Sequence, residues 1–134
     1  MEASNRTALV VDDDADVRSM VAALLEQDGW QTIEAGTGEE GLQLAAASLP
    51  DLMIMDVMLP GMSGFEAYKA LRGDYRTSHI PVIILTAVNE HELGANHDAD
   101  SVGRMLCTDG PQAFIDKPVD SEQLRSAIEH ALNA

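Results

Sequence analysis

The sequence contains a single cysteine, Cys107, so no disulfide can close within the chain, and a reducing compartment is the simpler setting for it. Bases are scarce as well. Only 8 lysines and arginines stand against 23 aspartates and glutamates, a formal net charge of −15 at pH 7. Such a surface repels phosphate backbones and argues against direct binding of DNA or RNA, while leaving room for a divalent cation or a basic protein partner. Solubility is the plain account of most of these acids. No apolar run approaches the roughly 20 residues of a membrane span. The first residues, Met1 to Thr7, lack the basic-then-apolar form of a signal peptide. A soluble, cytoplasmic protein with no membrane association is expected. Internal repeats, low-complexity tracts and linkers are also missing, which for 134 residues points to one domain, 1–134, with a core at about 7–132. Folding at this length removes roughly two-thirds of the chain's surface from water, so no disulfide or metal staple is required.

What is present is an alternation of two kinds of segment. Ala8-Leu9-Val10-Val11 is a short apolar run that ends on Asp12, Asp13 and Asp14. From about Ala15 to Gln27 the apolar residues Val17, Met20, Val21, Leu24 and Leu25 fall at helical spacing, and Gly29 stops the helix. Gln31 to Ala35 reads as a second strand. Glu39 to Ser48, with Leu42, Leu44, Ala45 and then Leu49, reads as a helix closed off before Pro50. Leu52-Met53-Ile54-Met55 is a third strand ending on Asp56, followed by a turn at 59–64 and a helix from about Phe65 to Arg72. Pro81 to Leu85 is a fourth strand ending on Thr86, and Ala113-Phe114-Ile115 a short fifth one ending on Asp116 and Lys117. The last helix spans about Ser121 to Leu132, with Asp120 or Ser121 as N-cap.

Strands one, three and four are apolar throughout, the pattern of parallel strands covered by helices on both faces. The βα alternation therefore predicts an α/β, doubly wound, five-stranded parallel sheet. Asn89 to Gln112 fits this less well. It should hold the fourth helix, yet it contains Gly94, Gly103 and Gly110 and is helical in pattern only over roughly Asp100 to Cys107. An irregular fourth helix region is expected there.

In an open parallel sheet, sites form beyond the carboxyl ends of the strands, where the winding reverses. To that rim this sequence brings Asp12, Asp13, Asp56, Thr86 and Lys117. If the strand order is 2-1-3-4-5, strands one and three are neighbours and the acids converge. Clustered carboxylates repel one another, which calls for a cation, and Mg²⁺ suits one or two carboxylates together with phosphate oxygens and waters. A Lys and a Thr hydroxyl can bind further phosphoryl oxygens, and a carboxylate nucleophile can form an aspartyl phosphate.

These residues, with Val10-Val11-Asp12-Asp13, Asp56-Val57-Met58-Leu59-Pro60-Gly61-Met62-Ser63-Gly64, Thr86-Ala87 and Lys117-Pro118, resemble the receiver domain of two-component response regulators over about Thr7 to Leu132. Each motif is weak alone; in this order, each at a strand end, they are specific. The resemblance implies a flavodoxin-like receiver fold with strand order 2-1-3-4-5, which is also the order of a chemotaxis receiver. It implies Asp56 as phosphoacceptor and Asp13 as a direct Mg²⁺ ligand. Asp12 would assist through water, with the Met58 backbone carbonyl as a further ligand. Thr86 and Lys117 would bind phosphoryl oxygens, Phe114 would be an aromatic switch partnering Thr86, and Lys117-Pro118 would be cis. The donor would be a histidine kinase or histidine phosphotransfer protein, and the output a conformational change read by a downstream protein. No output domain follows the last helix, so the chain would act on a partner or belong to something larger. One departure stands out. The 31 positions from Thr86 to Lys117 exceed the family's usual spacing. This admits an alternative, a phosphorylation-independent interaction module on the same fold.

Several other signals have plainer accounts. Gly36-Thr37-Gly38-Glu39-Glu40-Gly41 matches a dinucleotide-binding pattern, but Glu39 and Glu40 would repel a pyrophosphate, and a tight βα turn explains it. Asp12, Asp14 and Asp16 mimic the start of an EF-hand loop, but Val17 and Ala23 stand where that loop needs Gly and Glu. His91, Glu92, His97 and Asp98 lack metal-ligand spacing, and His79 and His130 read as surface residues. Met53 and Met55 read as core filling, Trp30 as half-buried, Phe114 equally well as a small core aromatic, and Asp14 as a helix cap. A Mg²⁺-dependent hydrolase with an Asp nucleophile would want an acid two residues on. Met58 stands there, which predicts slow self-dephosphorylation instead.

Overall fold

The computed structural model describes residues 6–86, 113–116 and 119–132. The expected irregular helix within Asn89 to Gln112, Lys117-Pro118, and the side chains of Thr86 and Phe114 lie outside the described residues. With helices numbered over the described part, the order is β1 Thr7–Val11, α1 Ala15–Gln27, β2 Gln31–Ala35, α2 Gly38–Ser48, β3 Leu52–Asp56, α3 Gly64–Gly73, β4 Val82–Thr86, β5 Ala113–Asp116 and α4 Ser121–Leu132.

The strands form one five-stranded sheet in the order β2-β1-β3-β4-β5, and every pairing is parallel. This is the α/β receiver architecture and the strand order that the resemblance implied. Successive side chains on a strand point to opposite faces, and here both faces are covered. Leu9 and Val11 of β1, Met53 and Met55 of β3, and Val82 and Ile84 of β4 pack with Ala45 of α2 and Ala67, Tyr68 and Leu71 of α3. Their neighbours Ala8, Val10, Leu52, Ile54, Ile83 and Leu85 pack on the other face with Val21 and Leu25 of α1 and Leu124, Ile128 and Ala131 of α4. Two burials per strand explain the uninterrupted apolar runs. Among the described residues, no helix is long and apolar enough to cross a membrane.

Local chemistry sets the helix starts. Asp14 caps α1 by accepting from the Asp16 and Val17 amides at 2.9 and 3.4 Å. Asp120 caps α4 through the Gln123 amide. Ser63 and Glu66 form a reciprocal capping box on α3, which fixes where the chain enters the helix after β3.

Three expectations are corrected by packing. Trp30 is buried at 8 % exposure, roofed by the Arg6 guanidinium 5.5 Å from its ring centre. Leu49 does not continue the buried face of α2. It is the helix C-cap in a left-handed conformation, φ 48°, and is exposed. Met20 falls at helical spacing but lies on the outer flank of α1 at 39 % exposure.

Candidate functional site

The register of the sheet builds the site. Val11 of β1 pairs with Met55 of β3, so the residues that follow them, Asp12 and Asp56, emerge at one level. Asp56 pairs with Leu85 and Thr86 with Asp116, which brings the ends of β4 and β5 to the same rim. Lys117 follows Asp116 in the chain.

Asp12 is fully buried, Asp56 is 3 % exposed, and Asp13 stands out to solvent. Each of the three offers a carboxylate oxygen, and these atoms all lie within 4.8 Å of one another. The Asp14 amide donates to Asp12 Oδ1 at 2.9 Å, and the Met58 amide donates to Asp56 Oδ1 at 3.3 Å. Taking carboxylates out of water is costly unless they are paired, hydrogen-bonded or bound to a cation. Two buried acids and one exposed one, all hard oxygen donors, fit Mg²⁺, which binds through few carboxylates and keeps its remaining positions for water and phosphate oxygens. Asp14, by contrast, is committed to capping α1.

The loop after Asp56 is held tightly. The Gly64 amide donates to the Val57 carbonyl at 2.8 Å, and the Val57 amide to the Leu85 carbonyl at 3.0 Å. A Cβ at Gly64 would stand 2.3 Å from the Asp56 carbonyl oxygen, so only glycine allows α3 to start this close to the end of β3. The Met58 side chain is 52 % exposed at the mouth of the site.

The dinucleotide-like segment does other work. Glu40 accepts from the Gly36 amide at 3.0 Å and Thr37 caps α2 through the Glu40 amide, so amides an anion would need are already engaged. Gly41 lies against Val11, where a Cβ would come within 2.8 Å of Cγ2. The segment is a tight βα turn. Met53 and Met55 are core, and His79 and His130 are exposed.

Gly64 is the last residue of the motif that follows Asp56, and the structure adds its close approach to the Asp56 carbonyl. Arg18 carries no motif; its Nη1 donates to the Asp12 carbonyl at 2.7 Å and its Nε donates to Glu34 at 3.0 Å. The signal for Arg18 was present: it is the one basic residue in α1, in the first turn beyond the acids.

A profile described as the response regulator receiver domain matches residues 8–129. The chain belongs to that family. Protein PilH of Pseudomonas aeruginosa is 36 % identical over 125 residues, covering 92 % of this chain and 95 % of PilH. The phosphate regulon transcriptional regulatory protein PhoB of Escherichia coli is 39 % identical over 124 residues, 92 % of this chain; the chain spans about half, 50 %, of PhoB. Among solved structures, the chemotaxis response regulator CheY4 of Vibrio cholerae superposes with a TM-score of 0.80 at 29 % identity, covering 96 % of this chain and 100 % of CheY4. Receiver domains are phosphoacceptor signalling domains of two-component systems rather than enzymes in the ordinary sense. They bind Mg²⁺ at an acidic pocket and interact with histidine kinases or phosphotransfer proteins and with downstream targets.

Proposed function

We propose that residues 1–134 form a single receiver domain in which Asp56 accepts a phosphoryl group from a phosphohistidine donor in a Mg²⁺-dependent reaction. The observation that carries this reading is the meeting of Asp12, Asp13 and Asp56 within 4.8 Å, two of them buried, at the carboxyl end of adjacent parallel strands. Asp13, Asp12 and Asp56 would hold the ion together with the Met58 backbone carbonyl. When bound, Mg²⁺ supplies positive charge that offsets the acids and the incoming phosphoryl oxygens.

The chain's own contribution is to aim a carboxylate. Met58 donates its amide to Asp56 Oδ1, which orients the acceptor carboxylate. An Asp56 oxygen forms the bond to phosphorus while the donor's P–N bond breaks. The electron pair of that bond stays on the imidazole nitrogen, which is left neutral or takes a proton from water. Catalysis of this kind rests on positioning and charge neutralisation. Thr86 would donate its hydroxyl to a phosphoryl oxygen, Lys117 would pair with another, and Phe114 would follow the inward motion of Thr86. Added charge at the rim would thereby change the surface read by a downstream protein. The setting is cytoplasmic, with no direct nucleic-acid contact.

The test is intact mass after incubation with Mg²⁺ and a small phosphodonor. A single phosphoryl adduct on the wild type, absent from Asp56→Ala and from samples with a chelator, is expected. No adduct on the wild type, or an equal one on Asp56→Ala, contradicts the reading.

A further inference from the structure

We propose that Arg18, clamped by Glu34, is a positioning residue that sets the Asp12-Asp13 pair for Mg²⁺. The proposal rests on the reading of Asp12, Asp13 and Asp56 as metal ligands. Arg18 Nη1 donates to the Asp12 carbonyl oxygen at 2.7 Å, and Nε of the same guanidinium donates to Glu34 Oε1 at 3.0 Å. That carbonyl belongs to the peptide group joining Asp12 to Asp13. Holding the plane of this peptide restrains ψ of Asp12 and φ of Asp13, and so the directions in which both side chains leave the backbone.

The rest of the turn is anchored on other sides. The Asp12 amide donates to the Ala35 carbonyl at 3.1 Å, and Asp12 Oδ1 accepts from the Asp14 amide at 2.9 Å. The Asp12 carbonyl is reached from α1 by Arg18. A guanidinium is suited to the task because its fork is planar and rigid, so two bonds at fixed angles locate it. The turn at Gly36 passes close to the guanidinium without crowding it, since a Cβ there would meet Nη1 at 3.5 Å, an ordinary contact. Glu34 has a second consequence. A lone cation this close to the ligands would oppose Mg²⁺, and its pairing with Glu34 offsets part of that field.

The sign of the effect separates positioning from charge. If Arg18 acted by charge alone, removing it would strengthen Mg²⁺ binding; if it positions the acids, removing it weakens binding. Loss of hydrogen-bonding partners of metal ligands commonly costs about 10–100-fold in affinity. The test is calorimetric titration of the full chain with Mg²⁺, with thermal melts in the absence of divalent ions as the readout of folding. Arg18→Met is expected to weaken Mg²⁺ binding about tenfold with little change in melting. Arg18→Lys, which keeps the charge and loses the fork, should fall between it and wild type. Glu34→Gln should weaken binding, and the double variant should bind no worse than Arg18→Met, because Glu34 acts through Arg18.

Wild-type or tighter binding by Arg18→Met overturns the proposal. So does Arg18→Lys binding as wild type, or a loss of affinity matched by a collapse of melting temperature across all variants. Failure of the underlying reading looks different: the wild type would not bind Mg²⁺, or Asp13→Asn would bind it as tightly as the wild type.

Discussion

At the scale of the residue, function turns on what each group beside Asp56 can do. Met58 shows this most clearly. Its amide orients Asp56, while its exposed side chain has neither a proton to give nor a lone pair suited to holding water. An acyl phosphate at Asp56 should therefore be lost slowly. Replacement by a side chain that can hold a water, Met58→Asn, is expected to speed the loss several-fold. Decay of the adduct followed by mass over time checks both statements, and disappearance within seconds from the wild type in the presence of Mg²⁺ contradicts the first. Gly64 illustrates a different constraint. Gly64→Ala forces a methyl onto the Asp56 carbonyl and is expected to cost about 1–3 kcal/mol in urea unfolding. Gly73→Ala serves as its control, since nothing lies within 4 Å of a Cβ there, and it should be neutral or stabilise by up to about 1 kcal/mol.

At the scale of the element, the fold is a set of parallel strands whose two faces are both buried, and this was written in the sequence. Strands such as Ala8-Leu9-Val10-Val11 and Leu52-Met53-Ile54-Met55 could be recognised because neither face tolerates a polar residue. Helix starts were legible where a side chain supplies the cap, as at Asp14 and Asp120. Strand order was not legible from pattern and came from the family resemblance, because no local signal says which strand pairs with which. Nor was the burial of Trp30, which comes from packing with the core on one face of the sheet, with Arg6 over its ring. The role of Arg18 and the packing role of Gly64, a member of the motif after Asp56, are not legible for the same reason: both lie in a tertiary approach, to Asp12 and to Asp56. The capping box offers an element-scale prediction. Ser63→Ala removes the acceptor for the Glu66 amide and is expected to cost about 1 kcal/mol of stability, measured by denaturant titration.

At the scale of the whole molecule, the dominant quantity is the net charge of −15. Self-repulsion among so many acids works against the compact state and is screened by salt. Raising ionic strength from about 0.01 M to about 0.15 M shortens the screening length from roughly 30 Å to roughly 8 Å. The melting temperature of the ion-free protein should therefore rise over that range. A fall would mean that favourable surface pairs such as Arg125 with Asp28, which joins α4 to the end of α1, outweigh the repulsion. The same charge bears on partners. A docking protein with a basic face should associate faster at low salt than at high salt.

On the proposed function, Asp56 rather than its acidic neighbours takes the phosphoryl group. The most direct measurement is reductive trapping. Borohydride converts an aspartyl phosphate to homoserine, and peptide mapping then locates it. Homoserine at position 56, dependent on both phosphodonor and Mg²⁺, is the predicted result. Homoserine at position 12 or 13, or none in a sample that carries the phosphoryl adduct, would contradict Asp56 as the acceptor.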